Sequence, residues 1–421
     1  MMDHTFVECN WCKTKIMLRF QMGYFNVPFD FCCPNCGVHI HGTRYIIDKQ
    51  HLEIAEATVI DSTPEDMTFY SDFSVELPHR KITKYESLEK LVLDGFSPFM
   101  NMTQIFEADT YPKLIDHMGR FLQFRDSTWT QLQPLYDLYF NRKIELMKSS
   151  VQKMASYYNV ENELDAAMSL HQLCVLGFNN ILENNTLPRF SEYANMIVRK
   201  TPMNQIFALI TAVGGYDYFS SVLKRLVQIY SRWISNFECY IPAIMISLGN
   251  ISEKFNRETH GIATTSFENM KSFYADSYEL LLSMIDVAVG LNNITVRGDY
   301  NAFHSDSNVK DFVDFQSKAK SEKLKSLIVN EPYSKEIPLN RHVRNAIAHF
   351  DYEFDPNTQK ILFNDKFKNK ENAVELYLID MALLCYENIE ILVYLDELLY
   401  SLRKILYTAQ GMAPHIGYPV R

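Results

Sequence analysis

The chain has 421 residues, enough for two or three domains that each bury a core. Apolar residues make up 47% and charged residues 22%, a globular balance that excludes wholesale disorder. A formal charge of −10, from 41 Lys and Arg against 51 Asp and Glu, excludes a general nucleic-acid coat, because sequence-independent binding needs clustered cations to displace counterions.

The opening stretch MMDHTFVECNWC has no basic segment followed by an apolar one. Apolar runs such as YIPAIMISLG (240–249) fall short of a bilayer span, so the expectation is a cytoplasmic protein without membrane contact. Residues 1–50 alternate apolar and polar positions, as in HIHGTRYIID (39–48), and predict short strands and hairpins. Five of the eight cysteines lie before residue 37; Cys174, Cys239 and Cys385 stand singly in apolar helical contexts and read as buried thiols.

CNWC (9–12) and CPNC (33–36) are two C-x2-C pairs, each offering two thiolates at the bite that a tetrahedral Zn²⁺ accepts. The expected site is Cys9, Cys12, Cys33 and Cys36, with Gly37 supplying the turn after the second pair. The pattern resembles a zinc ribbon. Four protein ligands close the coordination sphere, so the zinc is expected to be structural. In this site Cys32 is a bystander, and His39 or His41 would substitute only where one cysteine failed as a ligand; reduced structural thiols are the competing reading.

Residues 51–264 form the middle region, first mixed and punctuated by Pro64, Pro78, Pro98 and Pro112, then helical from about Ser127. Helical periodicity runs through 129–158, 163–183, 203–212 and 217–236. Residues 265–421 continue with helices at 265–291 and 308–327 and a long final helix over 371–407, which no Gly or Pro interrupts. The tail AQGMAPHIGYPVR (409–421) reads as a partly ordered extension. The expected fold is mainly α: a helical bundle body behind a small β-rich N-terminal module.

RNAIAHFDY (344–352) carries the strongest chemical signal outside the cysteines. His349 can exchange protons near neutrality, Arg344 presents a planar cationic fork to phosphate oxygens, and Asn345 adds a neutral donor and acceptor. Together these groups suit metal-independent RNA cleavage, in which a 2′-hydroxyl attacks the adjacent phosphate. Arg344 and His349 are about 140° apart on an ideal helix, so a shared cleft points to two copies. Salt bridges to Asp351 or Glu353 would explain the same residues without catalysis.

The segment resembles the HEPN superfamily, whose hallmark is Arg, four to six residues, then His, often with Asn after the Arg. Helices before the motif, a hairpin at 352–363 and a closing helix extend the resemblance over about residues 265–408. The resemblance implies a C-terminal four-to-five-helix domain at 265–421, active as a homodimer with Arg344, Asn345 and His349 as catalytic residues. It further implies an endoribonuclease acting on tRNA or mRNA, as an antiphage or toxin-type effector of a bacterium, released by a phage or host trigger. Glu279 or Asp286 would be assisting carboxylates. The other reading is a non-catalytic module that dimerises or binds nucleotide or RNA while the ribbon recruits a partner.

KAKSEKLK (318–325) offers Lys318, Lys320, Lys323 and Lys325 as an RNA phosphate track, with Arg341 beside the motif. A solvated helix face is its plainer reading. Residues 51–264 are assigned sensing or restraint because an active ribonuclease needs it, not because a motif says so.

Overall fold

The computed structural model describes residues 2–46, 51–94, 105–107, 109–183, 186–305, 307–318, 323, 340–367 and 370–415. Two compact units interleave along the chain: one of 1–118, 236–275 and 340–386, the other of 119–235, 276–339 and 387–421. Both linear divisions drawn from sequence, at 50/51 and 264/265, fall inside the first unit. The chain is mainly α, with small sheets.

In the first unit, β1 (Met2–Cys9), β2 (Lys15–Gln21), β3 (Val27–Cys32), β4 (His39–Tyr45), β5 (His51–Ala55), β6 (Ala57–Val59), β7 (Phe69–Phe73), β8 (His79–Arg80) and β9 (Thr83–Lys84) follow one another. All but β8 form a five-stranded sheet, β6-β1-β2-β7-β9, and a three-stranded sheet, β3-β4-β5. Strands therefore continue to Lys84, well past the 50 residues that alternation alone indicated. Strand β2, KIMLRFQ, is buried on both faces: Ile16, Leu18 and Phe20 enter one apolar cluster with Phe29 and Phe73, and Met17 enters another with Tyr70. Arg19 shares Met17's face and lies opposite Asp72 on the parallel strand β7. The pair meets at 3.0 Å, both side chains buried. Burial pushes the Asp72 carboxyl up to about 6, although Arg19 pulls the other way.

A second strand group, β10 (His260–Gly261), β11 (Tyr352–Asp355), β12 (Lys360–Phe367) and β13 (Lys370–Tyr377), completes the unit. Strand β10 pairs with β8, and β11-β12-β13 is an antiparallel sheet. The helix expected to begin at 371 begins at Leu378. Residues 372–376 alternate between half-buried and exposed, the period of a strand, and β12 offers them a full ladder. Phe267, at the start of the Phe267–Arg297 helix, stacks on Phe354 and meets the ring edges of Tyr352, fixing the β11–β12 hairpin.

The second unit holds helices at Thr130–Phe140, Lys148–Met154, Glu163–Phe178, Thr186–Lys200, Met203–Ala212 and Gly215–Ser235. Phe121, Phe124, Phe178 and Tyr230 pack ring to ring in its core. Buried His171 bonds Glu397 at 2.7 Å and stacks on Tyr400 at 3.7 Å, fastening the Glu163–Phe178 helix to Leu378–Ala409. Residue 415, the last one described, is fastened too: the His415 backbone N–H donates to Asp165 at 2.7 Å. Phe267–Arg297 is long and apolar enough to cross a membrane, yet 72% of its apolar window is buried in protein.

Candidate functional sites: a cysteine cluster and a polar helix

Cys9 ends β1 and Cys12 lies in the turn to β2; Cys33 and Cys36 lie in the turn from β3 to β4. The two turns repeat each other bond for bond. The Cys9 N–H donates to Thr14 O at 3.0 Å and the Cys33 N–H to Val38 O at 2.8 Å. The Lys13 N–H returns to Cys9 O at 3.1 Å and the Gly37 N–H to Cys33 O at 2.8 Å. Lys13 (φ 59°) and Gly37 (φ 76°) both take the left-handed conformation right after the second cysteine of each pair.

This geometry brings four sulfurs from residues far apart in sequence to one point. Cys9 Sγ lies 3.7 Å from Cys36 Sγ, and Cys12 Sγ 3.5 Å from Cys33 Sγ. All four lie within 4.8 Å of one another, the one such group of possible metal ligands among the described residues. A tetrahedron with metal–sulfur bonds of about 2.3 Å has edges of about 3.8 Å, so the cluster fits a metal ion. Burial pushes the Cys33 thiol up to about 12. Burial also opposes ionisation of Cys12, but hydrogen bonds from Thr14 and Asn35 outweigh it and bring that thiol down to about 6. Cys32 is buried and faces His39 at 3.5 Å, outside the cluster. Trp11, between Cys9 and Cys12, is 71% exposed, with its indole N–H held by Glu56 at 2.7 Å.

The motif lies on the Arg341–His349 helix. Asn340 caps it, its side-chain oxygen accepting from the His342 and Val343 N–H groups. Phe350 ends it in the left-handed conformation, φ 58°, with its ring 80% exposed. Val343 and Ala346 turn inward, and the helix packs on β12 and β13. The remaining arc carries Arg344 and Asn345, both half-buried, and His349, exposed in the last turn. Arg344 Nη1 donates to Asn345 Oδ1 at 3.4 Å.

Asp365 on β12 was invisible in the sequence reading. Its buried carboxylate accepts from His342 Nδ1 at 2.6 Å and from Asn345 Nδ2 at 3.4 Å. The available signal was the inward face of β12, where Asp365 follows the fully buried Ile361 and Phe363 at alternate positions. Exposed Arg341 donates from Nε to His342 Nε2 at 3.5 Å.

The lysine track fares differently. Lys323 is 8% exposed, with its ammonium bound to Asp286 at 2.9 Å and 3.1 Å, so it faces a carboxylate and not solvent. Lys318 pairs with Asp314 at 3.0 Å. Lys320 and Lys325 lie outside the described residues. No family model, curated protein or solved structure matches this chain.

Proposed function

We propose that the chain is a metal-independent endoribonuclease of the HEPN kind, acting as a homodimer in defence against phage. The observation that carries this reading is the placement of Arg344, Asn345 and His349 on the outward arc of one short, capped helix, with Asn345 touching Arg344. On this reading a 2′-hydroxyl attacks its neighbouring phosphate, His349 moves a proton, and Arg344 neutralises the charge gathering on the phosphoryl oxygens. A second copy related by a twofold axis would set two such arcs across one RNA strand. Arg341 remains a candidate phosphate contact; Lys323, held by Asp286, is not one.

The four clustered thiols would hold a zinc ion that orders the ribbon and leaves no coordination position open. A non-catalytic alternative draws on Trp11, whose exposed indole on the first cysteine turn suits partner recruitment.

The deciding experiment compares wild type with His349→Ala on cellular RNA, followed by sequencing of RNA ends. Wild type should generate 5′-hydroxyl and 2′,3′-cyclic phosphate ends, persist in EDTA and spare DNA. His349→Ala should be slower by about 10²–10⁴-fold. Equal rates, or products with 5′-phosphates, would show that this helix is not the catalytic site; no cleavage by wild type would leave the binding-module reading in place.

A further inference from the structure

We infer that His342, oriented by Asp365, is the second proton-transfer group of this site. The inference rests on the ribonuclease reading above and assigns a role that reading leaves empty. In-line attack by a 2′-hydroxyl needs two proton movements: one away from the attacking oxygen and one onto the departing 5′-oxygen. His349 can make only one of them in a turnover.

The geometry singles out His342 for the other. Its Nδ1 lies 2.6 Å from Asp365 Oδ2, and a carboxylate only accepts, so Nδ1 carries the proton. Nε2 is left with its lone pair outward, where it accepts from Arg341 Nε at the long distance of 3.5 Å. That is the tautomer a general base requires. Asp365 is nearly sealed, its side chain 7% exposed, while His342 is 26% exposed: the orienting group is inside and the working ring is within reach of a ligand. A carboxylate behind an imidazole whose far nitrogen carries only the long contact from Arg341 is also the arrangement that stabilises the ring once it is protonated.

Position on the helix agrees. Residues 342 and 349 are seven apart, about 20° from eclipsed and about 10.5 Å apart along the axis. Asn345 lies between them along the axis, turned about 40–60° aside, so one phosphodiester can be bracketed by His342 and His349. The step balances as follows. His342 Nε2 takes the 2′-hydroxyl proton as the 2′-oxygen bonds to phosphorus; the bond from phosphorus to the 5′-oxygen breaks, and protonated His349 gives its proton to that oxygen. The products are a 2′,3′-cyclic phosphate and a 5′-hydroxyl, and water later returns the proton inventory to its starting state.

The test uses the full-length protein and an oligonucleotide with a single ribonucleotide at a mapped cleavage position. The departing atom is either oxygen or a bridging sulfur, which leaves without protonation. His342→Gln keeps a donor for Asp365 but cannot take the proton. It should be slower by about 10²–10⁴-fold on both substrates. His349→Ala should be slow on the oxygen substrate and recover at least about tenfold on the sulfur substrate. As a check on folding, imidazole added to His342→Ala should restore part of the rate, which a merely structural loss would not allow. If His342→Gln cleaves like wild type while His349→Ala does not, the dyad only fastens the helix to β12 and the inference falls with the ribonuclease reading intact. If sulfur rescues His342→Gln, its assignment as the base is overturned. If wild type cleaves neither substrate nor cellular RNA, the ribonuclease reading itself has failed and takes this inference with it.

Discussion

Phe350 shows how much a single residue can reveal. It occupies the left-handed region at φ 58°, a conformation that costs a residue bearing a Cβ about 1–2 kcal/mol, and its ring is 80% exposed, so little burial is recovered. Phe350→Gly should therefore raise stability by about 1 kcal/mol in urea melts. An unchanged or lower midpoint would show that the ring is held by contacts formed outside the monomer. Asp72 makes a second case. Its carboxyl titrates at about 6 in the fold against the ordinary 3.8, so the native state keeps a proton that the unfolded chain has released. The stability this protonation adds is complete below about pH 3.8 and is lost as pH rises through about 6. Asp72→Asn should flatten that part of the stability profile. Arg19→Met removes the cation that draws this carboxyl down, so the carboxyl should take up a proton at still higher pH, and the change should cost less than the about 3–5 kcal/mol expected for a stranded buried charge.

At the scale of elements, local patterns were legible and distant ones were not. The cysteine turns could be read from spacing alone, because each C-x2-C pair and the residue after it set their own geometry. The structure adds that Lys13 stands where Gly37 stands in the second turn. Gly37→Val should cost about 1–2 kcal/mol through its left-handed backbone and lower the zinc retained after dialysis; full occupancy by metal analysis would count against it. The hairpin after the motif was legible from its Asp355-Pro356-Asn357 turn. Strand β13 was missed because no turn residue separates 370–377 from the helix that follows, so an unbroken apolar pattern carried the helical reading seven residues too far. The His342–Asp365 pair was out of reach for another reason: it joins a helix to a strand 23 residues away, and sequence order does not reveal register.

At the scale of the molecule, the cysteine turns and the motif helix belong to one compact unit. On the proposal that the cluster holds zinc, chelation should therefore lower the thermal midpoint of the unit that carries the proposed active site, with recovery on adding Zn²⁺ and none with Mg²⁺. Self-association is the companion expectation. Light scattering at micromolar concentration should give twice the chain mass, and a strictly monomeric protein that still cleaves RNA would rule out a composite site.

The first unit is assembled from three separated stretches, and the last of them begins around residue 340. This has a consequence for translation. The cysteine turns leave the ribosome roughly 300 residues before Arg344, which at about 5–20 residues per second is on the order of 15–60 s. Strand β12, which carries Asp365, follows later still. A nascent chain thus has all four clustered cysteines long before it has any part of the polar helix, and the strand carrying Asp365 follows that helix. On the proposed ribonuclease reading, this order of emergence keeps His342 without its carboxylate partner until the chain has grown 23 residues past it.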